Sequence, residues 1–401
     1  MSATNSTQAF GFGTPFQAQI DYLRNKLNLP TQAWDDITAA AHDRAFIVAG
    51  AAKADLLNDL HNAVIRAAAD GGGERAFVKD FQAIVAKNGW TGWTGEGTPA
   101  GEAWRARIIY QTNMSTSYWA GRYKQMTDPE VLKLHPYWRY IHADGILHPR
   151  PQHLAWHGLT LLASHPFWLT HFPPNGWMCH CRVTSVSKAE GERSAKVGLG
   201  EPPAGWNQTD PKTGAPVGID KSFGYAPGAN VDTPLRQLVQ QKLITYPDAI
   251  ATALSRDVNR YINATEQASE FAARMLTERA NVAPLWIGFV ESPQAISALV
   301  EHDVKGYTLL IPSDAPRHVE TSHAFDGGTQ RAPVPADFDL VGEVLNQSDT
   351  LRLGDLSRNG NATVVAIKAI GEEIYRAVFE VLTGKKSRAL ALLSLVIKTP
   401  K

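Results

Sequence analysis

The chain has 401 residues, more than one hydrophobic core usually organises, so two or three domains are expected. Hydrophobic residues make up 44% and charged residues 19%, which excludes a wholly disordered chain. Lys plus Arg and Asp plus Glu both number 39, and a net charge of zero excludes coating of nucleic acid by bulk electrostatics, so any DNA contact has to come from a local patch.

Residues 1–18 lack the basic and apolar regions of a secretory signal, and residues 1–15 are expected to be flexible until docked. No run of about 18 uncharged apolar residues suggests a membrane span, so no membrane partner is expected. From Phe16 the pattern is helical. Phe16, Ile20, Leu23 and Leu27 recur at the spacing of an amphipathic face that Pro30 ends, and a second helix carries Trp34, Ile37 and Ala41. A third, with Leu56, Leu57, Leu60, Val64 and Ala67, stops at Gly71; a fourth, with Phe77, Phe81, Ile84 and Val85, stops near Gly89. The fifth starts near Glu102, uses Trp104, Ile108, Ser115, Trp119 and Tyr123, and ends before Asp128-Pro129. Short connections make these five an N-terminal helical bundle.

Near His135 the character changes. Eight of the 13 histidines and both cysteines fall in residues 135–181, amid many Trp and Pro residues and little periodicity. This predicts a loop-rich His/Cys/Trp core module with a few short strands, completing a unit of residues 16–187. Cys179-His-Cys181 puts two thiols on one side of an extended segment, and His153 and His157 can share a helical face. Two readings stand: one structural zinc held by His153, His157, Cys179 and Cys181, or a metal-free hydrogen-bonded knot. A C-x-C pair is no disulfide framework, and synthesis in a reducing cytoplasm is expected. Residues 188–232, rich in Gly, Pro, Asn and Asp, read as an extended arm laid against a partner. Residues 233–284 read as a helical linker.

The segment Arg107-Ile-Ile-Tyr-Gln-Thr-Asn113, then His135-Pro-Tyr-Trp138, Asp144, Arg150-Pro-Gln-His153 and Pro166-Phe-Trp168, leads to Pro173-Pro174-Asn-Gly-Trp177-Met-Cys179-His-Cys181-Arg182. Together with Asn88-Gly-Trp90, Val217-Gly-Ile-Asp220 and Gly224-Tyr-Ala-Pro-Gly228, this ordered set resembles the Mu F-like family of phage minor head (head-morphogenesis) proteins over residues 30–230. Around the cysteines, Met178 and His180 depart from the family's small polar and basic residues. The resemblance implies a virion head protein assembled in the host cytoplasm, associated with the portal protein and with major capsid and scaffold proteins, acting in head assembly and DNA packaging or ejection. It also marks Asn113, Asp144, Arg150, His153, Pro174, Trp177, Cys179 and Cys181 as structural motif residues. Trp90, Trp93, Trp138, Tyr140, Trp156, Trp168 and Trp177 read either as interface anchors or as core.

Residues 285–401 predict a small α+β domain, with a strand at 307–311, helices at 313–323 and 337–346, and an antiparallel meander at 363–369, 374–382 and 388–397. Leu309-Leu-Ile-Pro-Ser313, Arg317-His318, His323 and Ser394 resemble nuclease domains of the barnase–EndoU–colicin–RelE-like class. That resemblance implies metal-independent RNA cleavage, with His318 and His323 as acid and base, Arg376 on the phosphate and Ser394 hydrogen-bonding it. The two histidines are five positions apart, roughly 140° around a helix, so they do not share a face cleanly. The alternative is a retained, inactive fold. Seven basic residues (Lys368, Arg376, Lys385, Lys386, Arg388, Lys398, Lys401) against three acidic ones make the last stretch a candidate for local contact with phage DNA.

Overall fold

The structure, a computed structural model, describes residues 15–31, 41–229, 232–265, 268–278, 282–322, 329–384 and 388–399. Residues 1–14, Trp34 and Ile37, His323, and Lys385, Lys386 and Lys401 therefore lie outside the described residues. The chain divides into two compact units, Met1–Leu235 and Arg236–Lys401.

In the first unit, α1 (Gln17–Arg24) buries Ile20 and Leu23. It does not run on through Leu27 as its apolar spacing predicts. The Asn25 and Lys26 amides turn back onto the Asp21 and Leu23 carbonyls, and β1 (Leu27–Asn28) pairs in parallel with β2 (Ala45–Phe46), which follows α2 (Ala41–Arg44). Next come α3 (Ala54–Asp70) and α4 (Gly73–Asn88). Both end where expected, on Gly71 (φ 65°) and Gly89 (φ 56°), left-handed positions that glycine adopts without a Cβ clash. The long α5 (Pro99–Met126) starts with Pro99 in its first turn and the Thr98 hydroxyl accepting the Gly101 amide at 3.1 Å. Its inward stripe agrees with the predicted one in part: Trp119 is buried as expected, together with Ala106, Ile109, Ser117 and Ala120, whereas Trp104 is 48% exposed. Small residues sit where α1 approaches closely: Gln19 donates to the Ser117 hydroxyl at 3.0 Å, and a Cβ on Gly121 would lie 2.6 Å from the Phe16 ring.

After α6 (Pro129–Leu134), strand β3 (Tyr137–Ile141) lies between β4 (Thr160–Leu162) and β5 (Arg182–Val186), antiparallel to both. The short helices α7 (Pro151–Ala155) and α8 (Trp168–His171) sit in the connections. Residues 188–232 are not an extended arm. Ser187 and Glu190 form a capping box that starts α9 (Lys188–Lys196), a local signal the compositional reading passed over. The remainder returns through turns, and Ile219, Phe223 and Ala226 bury themselves with Trp138, Trp156 and Phe172. Apolar residues at irregular spacing thus find a core within their own unit, where a partner had been expected to receive them.

Three helices follow: α10 (Asp232–Thr245), α11 (Asp248–Thr265) and α12 (Ala268–Thr277). They are more than a linker, because Phe271, Ala272 and Met275 of α12 share one core with the C-terminal sheet. That unit continues through β6 (Leu285–Phe289), α13 (Pro293–Val300), β7 (Thr308–Ile311), α14 (Ala315–Ser322), β8 (Gln330–Arg331), a 3-10 turn (Pro335–Leu340), α15 (Val341–Asn346), β9 (Thr350–Leu353), β10 (Thr363–Ile370), β11 (Glu373–Leu382) and β12 (Ala389–Lys398). The strands join one sheet in the order β6-β7-β12-β11-β10-β9, with β8 also on β12. The meander β10–β12 is antiparallel as expected, but β12 runs parallel to β7, so the sheet is mixed. Parallel neighbours need a long crossover, and periodicity within a strand says nothing about that distant partner. No helix of the described residues is long and apolar enough to cross a membrane.

Asp337, 4% exposed, stitches this unit together. Arg331 donates to both its carboxylate oxygens at 2.8 Å and grips Glu373 as well, while the Tyr375 hydroxyl donates to Asp337 at 3.0 Å. Burial pushes the Asp337 carboxyl up, but the Arg331 guanidinium and the Val334 amide outweigh it and hold the group below the usual carboxylate range. A depressed folded-state pKa stabilises above the unfolded value near 4, and that stability is lost as pH falls through the lower folded value. Arg331→Ala strands a buried carboxylate and should cost about 3 kcal/mol at neutral pH, read by denaturant unfolding. Asp337→Asn should flatten the acid limb of the stability profile; an unchanged limb would refute the assignment.

Candidate functional site

Cys179 and Cys181 gather with His153 in the core beneath β3. Pro173 and Pro174, joined by a cis peptide bond, and the fully buried Asn175 lead in. Met178 adopts φ 56°, and the Cys179 amide closes a turn on the Gly176 carbonyl at 3.1 Å. Alternation along the extended chain then turns both sulfurs inward. His153 comes from α7, whose Pro151 sets the first turn. Its Nε2 lies 2.9 Å from the Gly218 carbonyl, so Nε2 carries the proton and Nδ1 keeps its lone pair. Nδ1 is 3.7 Å from each sulfur. All three residues are buried, and their ligand atoms lie within 4.8 Å of one another.

These donors can hold a metal ion. Two thiolates and a neutral imidazole would balance a dication in this buried place, and an imidazole anchored through its second nitrogen is the usual outer support of a ligand. Tetrahedral zinc with ordinary bond lengths would separate sulfur from nitrogen by about 3.6 Å. Hydrogen bonding from the Cys179 thiol holds Cys181 low against burial, while the same bond and burial push Cys179 up. The Tyr140 hydroxyl beside them donates to Asn175 at 2.9 Å.

His157 does not join. It is exposed, and its Nδ1 accepts the His142 amide at 3.1 Å; one turn on from His153, the short α7 has already ended. Asp144 is also exposed, in the loop before α7. Arg150, in contrast, donates at 2.9 Å both to the Trp177 carbonyl and to Asp220, which in turn accepts the Trp177 amide at 2.9 Å. A Cβ on Gly176 would lie 2.3 Å from that Asp220 oxygen, so glycine is what allows the approach. Asn113 and Trp177 line one groove between α5 and residues 222–225. Trp138, Trp156 and Trp168 are buried to 3% exposure or less: they fill the core and are not interface anchors. Asp220, Gly218 and Tyr140 were missed as site residues, although Val217-Gly-Ile-Asp220 stood in the motif set that carries the resemblance.

In the second unit, His318, Arg376 and Ser394 line one open cleft of about 310 Å³. Here β11 turns Tyr375, Ala377 and Phe379 to the core and Arg376 and Val378 to the other face, and Ser394 pairs with Val378.

Asp220→Ala should free the returning segment at a cost of about 1–2 kcal/mol, since the Arg150 pair is about one-third exposed. Limited proteolysis should then cut faster within residues 210–229, and an unaltered cleavage pattern would contradict this role.

Residues 58–184, which include the clasp's His153, Cys179 and Cys181, match the model of the family described as Phage Mu protein F like protein. The chain is 37% identical over 199 residues to the "Mu-like prophage FluMu F protein" of Haemophilus influenzae, covering 48% of this chain and 46% of that protein. It is 36% identical over 200 residues to the "Putative capsid assembly protein F" of Escherichia phage Mu, covering 48% and 44%. No solved structure matches. The chain thus spans less than half the length of these curated relatives, and within residues 58–184 it is Mu F-like in sequence.

Proposed function

We propose that the protein is a structural component of a tailed-phage head, acting in head assembly through contacts with portal and capsid or scaffold proteins, and in DNA packaging or ejection. The observation carrying this reading is the 36% identity to the putative capsid assembly protein F of phage Mu. The burial of the clasp supports it: His153, Cys179 and Cys181 are all buried, which suits a scaffold better than a catalyst. When the chain is expressed with its head proteins, it should sediment with heads or their precursors at a fixed low ratio to portal. Its absence from both would end the reading.

The clasp is further assigned one structural zinc on His153, Cys179 and Cys181. Purified full-length chain should carry about one zinc, lose it in His153→Ala and keep it in His157→Ala. Equal zinc content in both variants, or none in the wild type, would overturn this.

A second reading is that the C-terminal unit is a ribonuclease-like domain. What supports it is the meeting of His318, Arg376 and Ser394, proposed acid or base, phosphate ligand and hydrogen-bond donor, around one cleft. His318→Ala should abolish RNA cleavage by the full chain; equal activity of wild type and variant removes the reading.

A further inference from the structure

The cleft holds more cations than the three residues above account for. Arg352 from β9 and Arg358 from the β9–β10 loop line it together with Arg376, against one carboxylate, Asp355. None of the three guanidinium groups forms a hydrogen bond or ion pair with the described residues, whereas Arg331 in the same unit is held by two carboxylates.

Strand register fixes their spacing. Arg352 pairs with Val365, and Arg376 pairs with Ile367 two residues further along β10. Directly paired residues share a face, so Arg352, Val365, Ile367 and Arg376 all point to the side opposite the core. Two strand spacings across and two residues along put the arginine backbones about 12 Å apart. One phosphate is a poor match for groups so spread over an open face; a chain of phosphates is a good one.

The third arginine is placed by a buried acid. Glu380, 6% exposed, accepts from the Ser357 hydroxyl at 2.6 Å and from the Asn361 and Asn359 amides at 2.9 and 3.2 Å, and no ion pair reaches it among the described residues. Ser357 Oγ also accepts the Asn359 and Asn361 backbone amides at 3.2 and 3.1 Å. A carboxylate bound only to neutral donors of one loop does little but fix that loop's shape, and Arg358 sits in its middle.

We propose that this cleft binds the sugar-phosphate backbone of a single-stranded nucleic acid through Arg352, Arg358 and Arg376, with Glu380 as a positioning residue for Arg358. A cleft about two strand spacings wide, on the order of 10 Å, takes one strand's backbone and not a duplex. The inference shares its cleft with the ribonuclease reading but does not require cleavage.

The test is fluorescence anisotropy of the full chain with labelled single-stranded RNA, single-stranded DNA and duplex DNA across a salt series. Three phosphate contacts predict a slope of log K against log salt of about −2 for a single strand. Arg352→Ala and Arg358→Ala, both at exposed positions, should each weaken binding about tenfold at low salt and flatten the slope by about 0.7. Glu380→Gln should reproduce the Arg358→Ala slope; a wild-type slope there would overturn its positioning role. The tighter-bound single strand names the ligand. Wild-type affinity in both arginine variants, binding indifferent to salt, or a duplex bound as tightly as either single strand would overturn the proposal. Cleavage is read on denaturing gels of the same mixtures. Intact RNA with salt-dependent binding removes the nuclease reading alone, and cleavage unaffected by both arginine variants removes this one alone.

Discussion

The first unit depends on a single imidazole held from both sides. His153 gives its Nε2 proton to the Gly218 carbonyl and turns Nδ1 toward Cys179 and Cys181. That arrangement joins three pieces of chain far apart in sequence: α7, the C-x-C turn and the returning segment. Each would otherwise bring a polar group into an aromatic core, where an unpaired donor or acceptor costs on the order of 1–3 kcal/mol. Asp220 repeats the logic nearer the surface by tying the same returning segment to Arg150 and Trp177. A loop-rich module with little periodic structure thus keeps one shape through convergent polar contacts as well as through its buried tryptophans.

How legible this was in the sequence follows from the range of each signal. Gly71 and Gly89 stop helices through their own backbone, so α3 and α4 were readable from the chain alone. The clustering of His153, Cys179 and Cys181 was visible as composition. The choice of His153 over His157 was not, because it depends on where α7 ends and on which backbone carbonyl waits at Gly218. Irregularly spaced Ile219, Phe223 and Ala226 gave no period to read, so a packed return looked like a free arm. The same limit hid the parallel β7–β12 pair and the shared face of Arg352 and Arg376, which exist only once strand register is known.

The two units solve buried charge differently. In the clasp, two sulfurs and a neutral ring leave a negative centre suited to a dication. In the sheet unit, one cation, Arg331, is shared by two carboxylates, Asp337 and Glu373. The three arginines of the open cleft share it with one carboxylate, Asp355, and such a cluster, without ion pairs among the described residues, is better explained by a ligand than by folding. The proposed roles, a scaffold closed by a clasp and a separate unit for nucleic acid, match these two ways of handling charge.

X-ray absorption at the zinc edge of the purified full-length chain addresses the clasp most directly. Two sulfur scatterers at about 2.3 Å with one imidazole nitrogen at about 2.0 Å are expected. A shell made only of nitrogen and oxygen, or one with no imidazole, would contradict the account.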